Sequence, residues 1–400
     1  MNKRQYNPAL LEALNERKRI DNEDGLIIIE KPVPESDEEG ILDPRIVKGM
    51  EEAAREMNGH TEKDSALDRA GKSFRTFGRH LKGVGRFIGG DMTGLTAPIG
   101  AMFDVVRSIP LGMPVRVFDQ HVHNEDYGDH QVTLRLYKPE ERDEDLPVLI
   151  YIHGGGFIGG NLEGVDEMCR FMAAKGGCLV VSVAYRLAPE HNFPSALSDC
   201  RTAVNWVWHN ARRFGGDVNR ITVAGDSVGG NLAAACVLLD ERRVREGKRR
   251  RIGAQILLYP TLNLSGIPDL KYRFNRNKFN VKPEYQQTVN QMVYSMRLLV
   301  NCIPLVIGKF SLNDPLVNPY FADPLPEIPT LLCIGEFDCL RPETEAYGKK
   351  LMKNGSPVRI IRYAGVGHGY ADQVGVLPQA EDTLVEMSRF ITDCFPQRIY

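Results

Sequence analysis

The sequence predicts an α/β fold: a mostly parallel, eight-stranded sheet flanked by helices and covered by a helical cap. Three observations lead there. After Pro114 the chain carries six short, nearly all-apolar runs; amphipathic helical stretches separate them; and two strand-like runs joined by a polar turn precede them.

Residues 1–112 read differently from the rest, with helical periodicity, many charges and few strand-like runs, and are expected to form a helical cap or lid. Within them, "DPRIVKGMEEAAREM" places Asp43 as N-cap and Pro44 at the first helical position. A glycine-rich stretch follows, containing Gly83, Gly85 and Gly89. Its spacing is one residue too long for a dinucleotide fingerprint and no strand leads into it, so it is read as a connector.

Residues 113–400 are expected to be the catalytic domain. "PVRVFDQHVH" and "HQVTLRLYKP", joined by "NEDYGD", form an antiparallel hairpin. The runs "PVLIYI", "CLVVSVAY", "RITVA", "IGAQILLY", "PTLLCIG" and "PVRIIRY" follow. Uninterrupted apolar character is what strands carry when helices cover both faces of a sheet. The helix "SALSDCRTAVNWVWHNARRF" between them sets Leu197, Cys200, Val204, Val207 and Ala211 on one stripe. One segment breaks the rhythm at about 265–312, where "KPEYQQTVNQMVYSMRLLV" repeats apolar residues at helical spacing. It is expected to be an insertion that joins the N-terminal region in the cap.

Composition narrows the function classes. The 400 residues are 42% hydrophobic, and 50 basic against 52 acidic side chains leave a formal charge of -2, so no global field favours a nucleic acid or an anionic membrane. The run "ERRVREGKRRR" lies at a helix end, where cations suit the helix dipole and water, and no aromatics interleave it. No stretch is apolar enough for a signal peptide or a membrane span, so a cytoplasmic location is expected. Eight cysteines lie scattered without a C-x-x-C pair, which fits reduced thiols better than a disulfide frame or zinc ribbon.

The chemistry starts at "VAGDSVGG". Gly225-Asp226-Ser227-Val228-Gly229 fits G-x-S-x-G, with strand-like "RITVA" before it and helix-forming "NLAAACVLL" after it. A tight strand-to-helix turn of this kind needs flanking glycines and holds the hydroxyl above the carboxyl edge of the sheet. A serine hydroxyl becomes a nucleophile only when a base takes its proton, and that base needs an acid to hold its tautomer. Of nine histidines only His368, in "YAGVGHGY", follows Ser227. The acid should end the preceding strand, where "LLCIGEFDCLRPE" offers Asp338, favoured because it stands further past the strand, and Glu336 as the alternative. "IYIHGGGFIGG" ends another strand, and its glycines let backbone N–H groups approach an oxyanion: Gly155 and Gly156, with Val228, are the expected donors. His153 reads as a loop brace. No Lys-Ser or Lys-Thr follows the glycines, as a phosphate loop would require.

Together, "HGGGF", "YRLAPEHNFPSAL", "GDSVGGN", "DCLRPE" and "GHGY", in that order, resemble the hormone-sensitive-lipase-like branch of the α/β-hydrolase superfamily, a group of carboxylesterases. The resemblance covers roughly Pro114 to the C-terminus. It implies a capped α/β-hydrolase fold, an esterase without metal or organic cofactor, Ser227, Asp338 and His368 as a triad, and scaffold roles for Arg186 and Glu190. Two features depart from the family. Val228 stands where alanine is common, which is expected to narrow the pocket, and the N-terminal part is longer than the usual cap.

The expected activity is therefore hydrolysis of short- to medium-chain acyl esters, with a small-molecule ester as partner. The sequence is compatible with a homodimer. Deacetylation of a carbohydrate or other metabolite, and a non-catalytic receptor on the same fold, are the alternatives. A metallohydrolase would draw on "HVHNEDYGDH", where His121, His123, Asp126, Asp129 and His130 cluster, but the spacing misses H-x-H-x-D-H by one residue.

Overall fold

A computed structural model describes residues 4–23, 25–58, 104, 106–124, 126–127, 129–265, 278–308 and 310–396. The glycine-rich connector at Gly83, Gly85 and Gly89 and part of the expected cap insertion lie outside the described residues.

The six apolar runs are strands β5 (Leu146–Ile152), β6 (Leu179–Ala184), β7 (Gly216–Asp226), β8 (Ala254–Leu258), β9 (Thr330–Gly335) and β10 (Val358–Tyr363). They pair in parallel in the order β10-β9-β8-β7-β5-β6. The hairpin is β3 (Val115–Asn124) and β4 (His130–Pro139), with β4 antiparallel to β6. Alternation along β5 shows why these runs are continuously apolar. Val148, Ile150 and Ile152 face one apolar layer, with Val204 and Leu232, while Leu149 and Tyr151 face another, with Phe171 and Met387. Each face is closed by helices: α4 (Ser195–Asn210) and α5 (Val228–Arg245) on the first, α3 (Asp166–Ala174) and α8 (Pro378–Cys394) on the second. The five stripe residues Leu197, Cys200, Val204, Val207 and Ala211 are all buried.

The sheet differs from the expected eight strands. Among the described residues it has ten, because the N-terminal region, read as helical, contributes β1 (Arg19–Glu23) and β2 (Leu26–Lys31) as well as α1 (Ala9–Glu16) and α2 (Pro44–Asn58). Glu23 pairs with Leu26, leaving a two-residue connection that ends in Gly25 at φ +85°. Strand β2 then runs parallel to β10, with Ile28 opposite Ile360. Burial explains the addition. Leu26 and Ile28 enter the core, and Lys31, 0% exposed, reaches Asp382 and Glu386 on α8 and Asn15 on α1. An ammonium can be buried only when its donors are satisfied, and these acceptors satisfy them.

Asp43 caps α2 as expected: its Oδ1 accepts the Arg45 N–H at 2.8 Å. Residues of α2 and of α6 (Gln286–Val306) share one apolar cluster with the loop after β9, including Ile46, Val289, Val293, Phe337 and Leu340. The remaining helix, α7 (Arg341–Lys353), follows that loop with Pro342 in its first turn.

Candidate active site

Ser227 is the single residue between β7 and α5, and its backbone is forced to φ +52°. A non-glycine residue in that region is strained and persists only where its surroundings hold it. Its N–H donates to the Leu258 carbonyl at 2.9 Å and its carbonyl accepts from Thr261 at 3.0 Å, so the end of β8 clamps the turn. The flanking glycines are required by contact: a Cβ on Gly225 would lie 2.3 Å from the Gly229 carbonyl oxygen, and one on Gly229 would lie 2.1 Å from that of Ile152. Asn231, one turn into α5, donates to the carbonyls of Thr261 and Val317 and ties the helix start to both loops.

His368 and Asp338 arrive from loops that follow β10 and β9. Ser227 Oγ lies 3.0 Å from His368 Nε2, and His368 Nδ1 lies 2.8 Å from Asp338 Oδ2. A carboxylate only accepts, so Nδ1 carries the ring proton and Nε2 is left as the acceptor of the Ser227 hydroxyl. Asp338 is fully buried, and its other oxygen accepts the Leu340 N–H at 2.8 Å. Burial alone would push the His368 imidazole down; the facing Asp338 carboxylate outweighs it and holds the imidazole above its ordinary value. Glu336 takes a different place. It accepts the Gly365 N–H at 2.9 Å, bracing the loop that carries His368, and burial pushes it up to about 7.

The glycine loop lies beside the serine turn. Gly155 and Gly156 have φ +117° and +65°, and among the described residues their N–H groups meet no acceptor. Val228 opens α5, where the first amides of a helix lack intrahelical partners. Its side chain is fully buried in the core on one sheet face, so it does not narrow a pocket as its branching suggested. His153 braces the loop: Nδ1 donates to the Gly154 carbonyl at 2.8 Å, the ring stacks on Tyr185 at 4.4 Å, and burial holds the imidazole down at about 4. Arg186 is a buried partner of Asp199 and also donates to the Tyr127 carbonyl, whereas Glu190 is exposed.

Three residues near the site carried no signal as such in the sequence. Asp226 accepts the Gly154 N–H at 2.9 Å and the Tyr151 hydroxyl at 3.0 Å, linking the serine turn to the glycine loop. Tyr259 packs its ring against His368 at 5.0 Å and donates to Asp372 at 3.1 Å. Only the position of Asp226 inside the motif, and of Tyr259 at a strand end beside the turn, could have pointed to them. The histidine-rich hairpin assembles no set of three metal-ligand side chains among the described residues: His123 pairs with Asp129 at 2.9 Å, His121 with Thr133, and Asp126 with Arg201. All eight cysteines are unpaired, and no described helix is long and apolar enough to cross a membrane.

Comparison with known proteins gives this geometry a family. A family model described as alpha/beta hydrolase fold matches residues 149–372. The chain is 32% identical over 257 residues to the esterase LipI of Mycobacterium tuberculosis, covering 63% of this chain and 74% of that one. It is 30% identical over 262 residues to the ethyl acetate hydrolase of Pseudomonas putida, covering 64% and 76%. Among solved structures, the hyperthermophilic esterase of Pyrobaculum calidifontis is similar with a TM-score of 0.61 at 28% identity, over 88% of this chain and 98% of that one. The chain belongs to the hormone-sensitive-lipase-like carboxylesterase family of the α/β-hydrolase superfamily.

Proposed function

We propose that this carboxylic ester hydrolase cleaves short- to medium-chain acyl esters through a Ser227–His368–Asp338 triad and an acyl-enzyme intermediate. The observation that carries the reading is the unbroken hydrogen-bond chain from Ser227 Oγ through the imidazole to a fully buried carboxylate. The relatives support an ester as the bond cleaved, and the one named for ethyl acetate supports a small acyl group.

In the first step Ser227 Oγ attacks the ester carbonyl carbon while its proton passes to His368 Nε2. The imidazolium formed is stabilised by the Asp338 carboxylate on Nδ1, and the carbonyl oxygen, now an oxyanion, accepts from the N–H groups of Gly155, Gly156 and Val228. Collapse of the tetrahedral intermediate expels the alcohol, which takes the proton from Nε2. Water then enters, loses a proton to His368, attacks the acyl carbon and releases the carboxylic acid with Ser227 restored. No cofactor is needed to balance these steps. In this mechanism the serine turn, the histidine loop and the glycine loop each contribute from a different part of the chain.

Ser227→Ala removes the nucleophile while keeping the turn's small side chain. Hydrolysis of p-nitrophenyl acetate should fall by about 10⁴-fold or more. Turnover retained in the folded variant would overturn the proposal.

A further inference from the structure

We propose that Asp372, held by Tyr259, is a positioning residue for His368: the pair supports the imidazole and stabilises its cationic form during proton transfer. This rests on His368 being the general base of the proposed function.

Tyr259 is the starting observation. It follows β8 directly, is fully buried and has φ +35°, a backbone region that a bulky residue avoids. Several contacts hold it there. Its N–H donates to the Cys333 carbonyl at 2.7 Å, its ring meets His368 edge-on at 5.0 Å and Tyr370 at 5.5 Å, and its hydroxyl donates to Asp372 Oδ1 at 3.1 Å. A strained aromatic residue wedged between the imidazole and a second carboxylate fixes both. Asp372 itself sits four residues after His368, in a short 3₁₀ turn of Tyr370–Asp372.

The charges around the imidazole come from each neighbouring element. Asp338 faces Nδ1 from the loop after β9. Asp226, at the end of β7, is bonded to Tyr151 of β5. Arg107, exposed in the segment before β3, lies with Nη1 3.6 Å from where a Cβ on Gly369 would sit. Burial raises Asp372, and Arg107 and the Tyr259 hydroxyl oppose that rise. Burial and the charge on Asp372 push Asp226 up to about 7. Asp372 is the carboxylate bonded to the tyrosine that touches His368, and its charge acts to raise the imidazole. An anion there favours the imidazolium and raises the pH at which the base becomes free.

Asp372→Asn keeps the shape of the turn and an oxygen for the Tyr259 hydroxyl, and removes only the charge. The test is the pH dependence of kcat/KM for p-nitrophenyl acetate, with thermal melting measured in parallel. The acid limb should move to lower pH by roughly half a unit to one unit, and kcat should fall several-fold with KM little changed. Tyr259→Phe removes a donor that favours the ionised form of Asp372, so its limb should move the same way by less; it carries the test should the asparagine variant fail to fold. An active wild type whose limb is unmoved, or moved upward, in these variants overturns this inference and leaves the triad standing. A wild type that neither turns over esters nor is labelled by a serine-directed organophosphonate overturns both.

Discussion

Asp338→Asn separates the triad reading from a merely structural one, because each carboxylate oxygen has its own task. Oδ1 accepts the Leu340 N–H at 2.8 Å and Oδ2 accepts His368 Nδ1–H at 2.8 Å, and Asp338 itself is fully buried. Asparagine can offer its carbonyl oxygen to only one of these donors. If that oxygen stays on Leu340, the amide NH₂ faces Nδ1, the ring proton moves to Nε2, and the lone pair that should receive the Ser227 proton is occupied. If the amide turns over, a buried NH₂ opposes the Leu340 N–H, which costs about 1–3 kcal/mol. The first arrangement is favoured, and it disables the base without unfolding the loop. The expected loss in kcat is about 10⁴-fold, or about 5.4 kcal/mol of barrier. The acid limb should also fall in pH, since the carboxylate that outweighs the burial of His368 is gone. The sign follows from His368 acting only when neutral: activity is lost as pH drops through its pKa, and lowering that pKa extends activity toward acid. Steady-state hydrolysis of p-nitrophenyl acetate across pH, beside circular dichroism of both proteins, reads all of this. A folded variant within tenfold of wild type would show that Asp338 does not set the His368 tautomer.

Two further outcomes test the surroundings. Gly155→Ala would place a Cβ 2.1 Å from the Gly159 carbonyl oxygen at φ +117°, so the glycine loop must shift, and kcat should drop about 10²–10³-fold while the urea midpoint also falls. Unaltered kcat would remove Gly155 from the donor set. Lys31→Met leaves Asp382 buried without its cation, while Glu386 keeps Arg389, and should lower unfolding free energy by about 3–5 kcal/mol; an unchanged urea transition would show that the N-terminal strands do not stabilise the sheet.

Much of the sheet was legible because its strands are buried on both faces and therefore carry unbroken apolar runs, as Leu146–Ile152 does. The site was legible for a different reason. Geometry this tight restricts residue type, so glycines must flank Ser227, and a single histidine follows it in the chain. The choice between Asp338 and Glu336 depended on which way two carboxylates in one loop lean, and that is decided by distant partners: His368 for one, Gly365 for the other. The N-terminal strands escaped for a related reason. "RIDNE" is polar and exposed as an edge strand that pairs only with β2, and "LIIIEK" is short and joins the sheet through β10, more than three hundred residues away. Asp24-Gly25 was the local signal, since Asp-Gly is a favoured two-residue hairpin connection. Asp372 had no such signal, because its place beside Tyr259 arises only when two strand ends meet.

In the proposed mechanism Ser227 becomes covalently acylated with His368 as its base. Its most direct measurement is the intact mass of the protein after exposure to a serine-directed organophosphonate, followed by mapping of the modified peptide. One adduct per chain is expected, on Ser227, formed far more slowly in His368→Ala. An adduct on another residue, or none at all on an enzyme that still hydrolyses esters, would contradict it.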